Sequence, residues 1–194
     1  MEGGVTQEAL AFSGAVLAGG RSSRFGRDKA LHVYGGRPLA VWVLGSLAHA
    51  DERFIVSARP YDLGVPVHPD RYPGSSLGGL HVALVHARND WVAVAACDMP
   101  FLEVAYWDAL ADRAAAAQQE GVRALLVAGP DGRPQPLAAL YHRSLAGLAE
   151  RHLLAGDLEL QAFVAAAPAR LVSWRDLGVD ARTFVNANRL TDLP

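Results

Sequence analysis

Short apolar runs alternate along the chain with longer segments of helix-like pattern. The short runs contain many small and β-branched residues, which is typical of strands buried in a parallel sheet. The longer segments are typical of the helices that connect such strands. The predicted strands are 13–17, 53–57, 65–68, 91–96, 123–128 and 170–174, and the predicted helices are 37–48, 78–87, 103–120, 143–154 and 158–166.

The pattern changes after Gly129. The segment Gly129–Arg133 consists largely of turn residues, and the prolines Pro134 and Pro136 force extended backbone into 137–141. This segment therefore predicts a strand that pairs differently from the parallel set.

No linker or internal repeat divides the chain. We therefore expect a single domain over 13–194, preceded by a mobile tail over 1–12. The predicted fold class is α/β: a Rossmann-like, doubly wound, mixed and mostly parallel sheet with helices on both faces.

A glycine-rich, basic loop follows the first predicted strand. It begins at Gly19-Gly20 and carries four cations, which are Arg21, Arg24, Arg27 and Lys29. Glycines let backbone N–H groups approach phosphate oxygens, and the cations neutralise them. The spacing fits neither the Gly-x-Gly-x-x-Gly pattern of dinucleotide-binding folds nor the Gly-Lys-Ser/Thr of a P-loop. The loop predicts a phosphorylated ligand held in another way.

Two aspartates follow other predicted strands. Because ligands of doubly wound sheets lie beyond the carboxyl ends of the strands, Asp98 and the segment 70–79 should meet the basic loop there. Asp98 ends a buried strand just before Met99-Pro100, and one carboxylate combined with substrate phosphates is a common way to hold Mg²⁺. A helix cap near Glu103 is the weaker alternative for Asp98. For Asp70, a role in a tight turn stays open beside ligand binding.

Composition and net charge narrow the classes of partner that the protein can have. The 194 residues are 51% hydrophobic and carry a net charge of −2, so no overall basic field attracts nucleic acid or an anionic membrane. Cys97 is the only cysteine, which fits a reducing compartment and excludes an internal disulfide. The first residues lack the pattern of a signal peptide. We expect a cytoplasmic protein with no nucleic acid or membrane partner.

Two motifs resemble those of the molybdenum cofactor guanylyltransferases, which are nucleotidyltransferases with a Rossmann-like fold. The first is Leu17-Ala-Gly-Gly-Arg-Ser-Ser-Arg-Phe-Gly-Arg-Asp-Lys-Ala30, similar to the family's Leu-Ala-Gly-Gly-x-Ser-x-Arg-Met-Gly-x-Asp-Lys-Ala. The second, Cys97-Asp-Met-Pro-Phe101, is similar to the family's Cys-Asp-x-Pro-Phe. The resemblance implies that the first motif binds GTP and that Asp98 binds Mg²⁺. The implied nucleotide contacts are Leu17, Ala18, Gly19, Gly20, Lys29, Asp70 and Asp98.

Looser similarities extend along the chain. Asp70 stands where the family's aspartate contacts guanosine, and Gln135 stands where the family has a histidine. Phe184-Val-Asn-Ala-Asn188 resembles the family's Phe-x-Asn-x-Asn. This similarity implies that Asn186 and Asn188 face the second substrate or complete the metal shell; the alternative is that they cap the last helical turn.

The resemblance implies transfer of GMP from GTP to molybdopterin, with release of pyrophosphate. Lys29, Arg21, Arg24 and Asp98 would be the catalytic residues and Mg²⁺ the cofactor. Other molybdenum cofactor biosynthesis proteins and acceptor apoenzymes would be further partners. Two alternatives remain: a nucleotidyltransferase of the same fold that uses CTP or a sugar phosphate, and a non-catalytic protein that binds nucleotide and delivers cofactor. The Gly19-Gly20 pair favours guanine over the Ala-Ala-Gly of cytidylyl relatives.

Overall fold

A seven-stranded mixed sheet forms the centre of the computed structural model, which describes residues 10–19 and 28–187. The strands in this part of the chain are β1 (Phe12–Leu17), β2 (Val33–Tyr34), β3 (Arg37–Pro38), β4 (Glu52–Ser57), β5 (Val67–Pro69), β6 (Trp91–Ala96), β7 (Ala124–Ala128), β8 (Ala138–His142) and β9 (Ala169–Ser173). The helices are α1 (Leu39–Ser46), α2 (Ser76–His86), α3 (Val104–Gln118), α4 (Ala146–Leu154) and α5 (Leu160–Ala166).

The strand order across the sheet is β5-β4-β1-β6-β8-β7-β9. β8 pairs antiparallel with both β6 and β7, whereas the remaining neighbours pair in parallel. β8 is the strand that follows the two prolines, so the predicted change of pairing is confirmed. β2 and β3 form a separate hairpin.

Helices cover both faces of the sheet. One buried cluster contains Val43 of α1 and Trp107 of α3, and the other contains Leu80 of α2, Leu153 of α4 and Phe163 of α5. Alternate residues of β1 divide between these clusters, as the two-residue period of a strand requires. The predicted doubly wound, mostly parallel α/β sheet is confirmed.

Several element boundaries differ from the predictions. The predicted helix 37–48 includes Pro38, but Pro38 lies in β3, directly before α1, and its ψ of 145° is extended. A proline φ suits either conformation, and the turn at Gly35-Gly36, where both φ angles are positive, folds the hairpin back. α2 begins at Ser76 rather than Gly78, because Ser75 Oγ accepts a hydrogen bond from the Gly78 N–H (3.2 Å) and caps the helix.

Two further helical segments were predicted too long. The first residues of segment 143–154 form a separate 3-10 turn, Arg143–Leu145, before α4. The start of segment 158–166 lies before α5, where Asp157 Oδ1 accepts a hydrogen bond from the Glu159 N–H (3.3 Å). At the chain start, β1 begins with the buried ring of Phe12, and residues 1–9 of the predicted tail lie outside the described residues.

The four neighbouring parallel strands β5, β4, β1 and β6 end at the same edge of the sheet. Leu17, the last residue of β1, is level with Val56 of β4 and Ala96 of β6, and Ser57 is level with Pro69 of β5. The segments that follow these strands therefore start side by side. Within the described ranges, no helix is both long and apolar enough to cross a membrane.

Candidate active site

Lys29 and Asp98 form an ion pair at this edge. Lys29 Nζ lies 2.6 Å from Asp98 Oδ2, and the two side chains are 16% and 20% exposed. The backbone holds Asp98 here because the preceding Cys97 N–H donates to Leu17 O (3.1 Å). Asp98 does not cap α3, whose N-cap residue is Glu103. The pair therefore joins the end of the basic loop to the end of β6, as the two motifs predict.

Asp70 is buried beside Gly19. Its N–H donates to Ser57 O (3.0 Å), and its Oδ1 accepts from the Tyr72 N–H (2.8 Å). Asp70 therefore stabilises the turn that follows β5. Its Oδ2 lies 3.1 Å from the position that a Cβ on Gly19 would occupy. Burial raises the pKa of the Asp70 carboxyl above its ordinary value, and the Tyr72 N–H partly offsets this. Glycine at position 19 thus permits a close approach of the loop backbone to this carboxyl group.

Tyr61 connects Ala18, which directly precedes the basic loop, with Asp28, which lies near the end of the loop. Its hydroxyl donates to Asp28 Oδ2 (2.8 Å) and lies 3.5 Å from Ala18 O. Burial first, and then the hydrogen bond to the Asp28 carboxylate, raise the pKa of Tyr61 to about 12. Ser57 Oγ donates to the same Ala18 carbonyl (3.3 Å), and Arg59 Nη1 lies 3.5 Å from Asp28 Oδ2. Tyr61 could not be found from the sequence, because no motif or spacing links it to Asp28.

Cys97 has no catalytic character. Its side chain packs against the hydrophobic core, and burial raises the pKa of its thiol to about 12, with the Asp98 charge adding to the effect. A thiol with this pKa remains protonated at neutral pH and is a poor nucleophile. Cys97 is therefore a packing residue at the edge of the core.

The C-terminal segment lies against Asp98. The Ala187 N–H donates to Asp98 O (2.8 Å), which places Asn186, half-buried, next to the end of β6. In the described part of the chain the last helical turn is Ala181–Phe184, and Asp180 caps it by accepting the Arg182 N–H (2.7 Å). The residues after 187, which Asn186 would cap under the alternative interpretation, lie outside the described residues.

Gln135 lies at the neighbouring turn between β7 and β8. Its N–H donates to Val127 O (2.8 Å). A Cβ on Gly129 would be 2.9 Å from Gln135 Nε2, so the glycine leaves room for this side chain.

The structure thus brings most of the predicted site residues to one edge of the sheet. Its described members are Leu17, Ala18, Gly19, Lys29, Asp70, Asp98 and Asn186. The other candidates, Gly20, Arg21, Arg24 and Asn188, lie outside the described residues. Within residues 10–19 and 28–187, no group of three His, Cys, Asp or Glu side chains is arranged to hold a metal ion. A cation here would rely on Asp98 and on ligand oxygens.

The doubly wound sheet and the cationic, carboxylate-bearing edge define an α/β protein of the nucleotide-binding class. Residues 14–171 match the family model described as the MobA-like NTP transferase domain. A probable molybdenum cofactor guanylyltransferase of Deinococcus radiodurans is 39% identical over 188 residues, which cover 95% of this chain and 93% of the relative. The molybdenum cofactor guanylyltransferase of Vibrio atlanticus is 31% identical, with 93% of each chain covered.

Solved structures agree with these sequence matches. Molybdopterin-guanine dinucleotide biosynthesis protein A of Archaeoglobus fulgidus superposes with a TM-score of 0.78 at 26% identity, over 93% of this chain and 94% of that one. The 2-C-methyl-D-erythritol 4-phosphate cytidylyltransferase of Thermus thermophilus shares the fold, with a TM-score of 0.63 at 20% identity over 92% and 94% of the two chains. The chain belongs to the molybdenum cofactor guanylyltransferase family of MobA-like nucleotidyltransferases.

Proposed function

We propose that this protein transfers GMP from GTP to molybdopterin and releases pyrophosphate. The observation that carries the proposal is the Lys29–Asp98 pair, 2.6 Å apart and beside the contact of Gly19 with Asp70. The family supplies the reaction, since relatives at 39% and 31% identity are named molybdenum cofactor guanylyltransferases.

The reaction is an in-line displacement at phosphorus. An oxygen of the molybdopterin phosphate attacks the α-phosphorus of GTP and forms a new P–O bond. The bond from the α-phosphorus to the oxygen that bridges to the β-phosphate breaks, and pyrophosphate leaves with that electron pair. A phosphate nucleophile carries no proton that must be removed, so catalysis rests on positioning and charge neutralisation.

The nucleotide would occupy the edge between the basic loop and Asp70. The backbone of Leu17, Ala18 and Gly19 would approach the nucleotide, while the Asp70 carboxylate would accept hydrogen bonds from guanosine. Tyr61 would keep the loop ends in place through Asp28. Gly20, Arg21 and Arg24 would contribute from the centre of the loop, and the cations Lys29, Arg21 and Arg24 would offset charge on the departing pyrophosphate. Asn186 and Asn188 would face molybdopterin.

The residues at this edge fit Mg²⁺. Magnesium commonly keeps several waters and takes only one or two carboxylates together with substrate phosphates, so Asp98 alone is a sufficient protein ligand. Bound Mg²⁺ would neutralise phosphate charge and polarise the phosphoryl oxygens. Lys29 now contacts Asp98 Oδ2, so its ammonium group must shift toward the phosphates for the carboxylate to coordinate fully.

Alanine variants of the pair test the proposal. Lys29→Ala and Asp98→Ala should each lower the rate of GMP transfer about 100-fold or more, because each removes a preorganised charge from the transition state. Asp112→Ala, which removes an exposed carboxylate from α3, should transfer GMP at the wild-type rate. Circular dichroism should show that all three variants are folded. Transfer at more than half the wild-type rate by either variant of the pair would contradict these roles.

The proposal extends to partners and compartment. Other molybdenum cofactor biosynthesis proteins and the apoenzymes that accept the product would be its partners, and the cytoplasm its location. A purely binding protein would take up GTP without releasing pyrophosphate. That difference separates a delivery role from the transferase.

A further inference from the structure

Two separate contacts hold the segment 181–187 against the rest of the fold, and one of them is to Asp98. The Ala187 N–H donates to Asp98 O (2.8 Å), and the Phe184 ring packs edge-on against Tyr106, with 5.8 Å between ring centroids. Ala187 and Phe184 are both buried. A side chain carried by this segment therefore has a defined place relative to the end of β6.

The aromatic ring of Phe101 meets two other chain segments. Tyr34 packs edge-to-face against it, with ring centroids 5.8 Å apart. On the same ring lies the guanidinium group of Arg182, with its Cζ 4.2 Å from the centroid. A cation at this distance from an aromatic face is attracted by the ring quadrupole. Phe101 therefore holds the exposed Arg182 head group in a preferred position.

Arg182 carries a positive charge on the segment that is hydrogen-bonded to Asp98. In the part of the chain that the structure describes, no carboxylate lies within 4.0 Å of its guanidinium nitrogens. Phe101 is three residues after Asp98, so their Cα atoms are at most about 11 Å apart. Guanidinium groups bind phosphates through two parallel hydrogen bonds, and they remain charged at any physiological pH.

The reaction needs charge neutralisation on two sides of the transferred phosphorus. In-line attack brings the acceptor phosphate to the side of the α-phosphorus opposite the departing pyrophosphate, where a cation positioned separately from Lys29 would neutralise its charge. Lys29 lies in the segment that follows β1, whereas Arg182 lies in the C-terminal segment, on the ring of Phe101. Arg182 is therefore a cation on a different segment from Lys29, suited to an acceptor phosphate that approaches from another side.

We propose that Arg182, positioned by Phe101, binds the phosphate group of molybdopterin and sets the affinity for this second substrate. The inference rests on the proposed guanylyl transfer. It names a residue that the motifs do not include.

Steady-state kinetics with each substrate varied in turn test this inference. Arg182→Ala should raise the KM for molybdopterin about tenfold or more, since a charge-assisted contact is lost, and should leave the KM for GTP unchanged. Arg182→Lys keeps the charge without the paired hydrogen bonds, so its KM for molybdopterin should lie between those of the wild type and Arg182→Ala. Phe101→Leu keeps an apolar side chain but removes the ring, and it should raise the same KM by a smaller factor.

Arg143→Ala is the matched control. Arg143 is an exposed arginine that directly follows β8, at the opposite edge of the sheet. Both KM values should stay at the wild-type level in this variant. A rise in the KM for GTP in Arg182→Ala would assign Arg182 to the triphosphate and overturn the inference. Unchanged KM values for both substrates would overturn it too, while leaving guanylyl transfer intact. Absence of GMP transfer by the wild-type protein would overturn the proposed function together with this inference.

Discussion

Replacing Lys29 with methionine should strengthen the binding of a divalent cation to the free protein. Lys29 Nζ lies 2.6 Å from Asp98 Oδ2 and so competes with any cation for this carboxylate. Methionine has a similar length and no charge. In the absence of nucleotide, the variant therefore exposes Asp98 to the ion without a rival cation.

The charge geometry gives the size of the effect. A divalent ion on the other oxygen of Asp98 would be about 5 Å from Nζ, and charges of one and two units repel by about 1.7 kcal/mol at this separation in water. This corresponds to a change of about 15-fold in the dissociation constant. Because both side chains are at least four-fifths buried, water screens them less, and the figure is a lower bound.

Electron paramagnetic resonance of Mn²⁺ measures the effect directly. Lys29→Met should bind Mn²⁺ about 15-fold more tightly than the wild type, and yet it should lose GMP transfer. Lys29→Arg keeps the charge and should bind Mn²⁺ as the wild type does, whereas Asp98→Asn should bind it more weakly. Unchanged or weaker Mn²⁺ binding by Lys29→Met would refute the view that lysine and metal compete for Asp98.

Four further substitutions probe the rest of the molecule. Asp70→Asn keeps the turn hydrogen bond from the Tyr72 N–H but removes the charge of the carboxylate. The free energy of unfolding should stay at the wild-type value while the KM for GTP rises about tenfold. An unchanged KM for GTP would exclude Asp70 from nucleotide binding. A Cβ at Gly45 in α1 would meet open space, so Gly45→Ala should raise the free energy of unfolding by about 0.5–1 kcal/mol in a urea titration. A Cβ at Gly14 would lie 3.1 Å from Leu47 Cβ, so Gly14→Ala should lower the free energy of unfolding. Burial, reinforced by His86, lowers the pKa of His68, so the folded state disfavours protonation of this side chain and the free energy of unfolding falls as the pH drops below about 6.5. His68→Gln should reduce the loss of stability between pH 7.5 and 5.5. An equal loss of stability in the variant and the wild type would contradict this role of His68.

The sequence predicted elements best where packing alone determines them. The predicted and observed bounds of β6 agree, because Trp91–Ala96 is a continuous apolar run that follows Asn89-Asp90 and ends two residues before Asp98. Boundaries set by local hydrogen bonds were less certain. α2 starts earlier than Gly78 because of the Ser75 cap, and Pro38 lies in a strand because the hairpin places it there.

The candidate site was predictable where a motif follows a strand. Lys29 and Asp98 are far apart in the sequence, but each follows a central strand, so sheet topology brings them together. Tyr61 and Arg182 could not be found this way. Their partners, Asp28 and Phe101, are contacted only after distant segments have folded, and neither spacing nor composition indicates these contacts.

Nucleotide selectivity distinguishes guanylyl transfer from the alternative reactions. The purified protein would be incubated with molybdopterin, Mg²⁺ and each of the four nucleoside triphosphates in turn, and both pyrophosphate and the nucleotide adduct of molybdopterin would be quantified. We expect equal amounts of pyrophosphate and guanine dinucleotide with GTP, and far less of either product with ATP, CTP or UTP. Release with CTP but not with GTP would contradict guanylyl transfer, and GTP binding with no pyrophosphate would contradict catalysis itself.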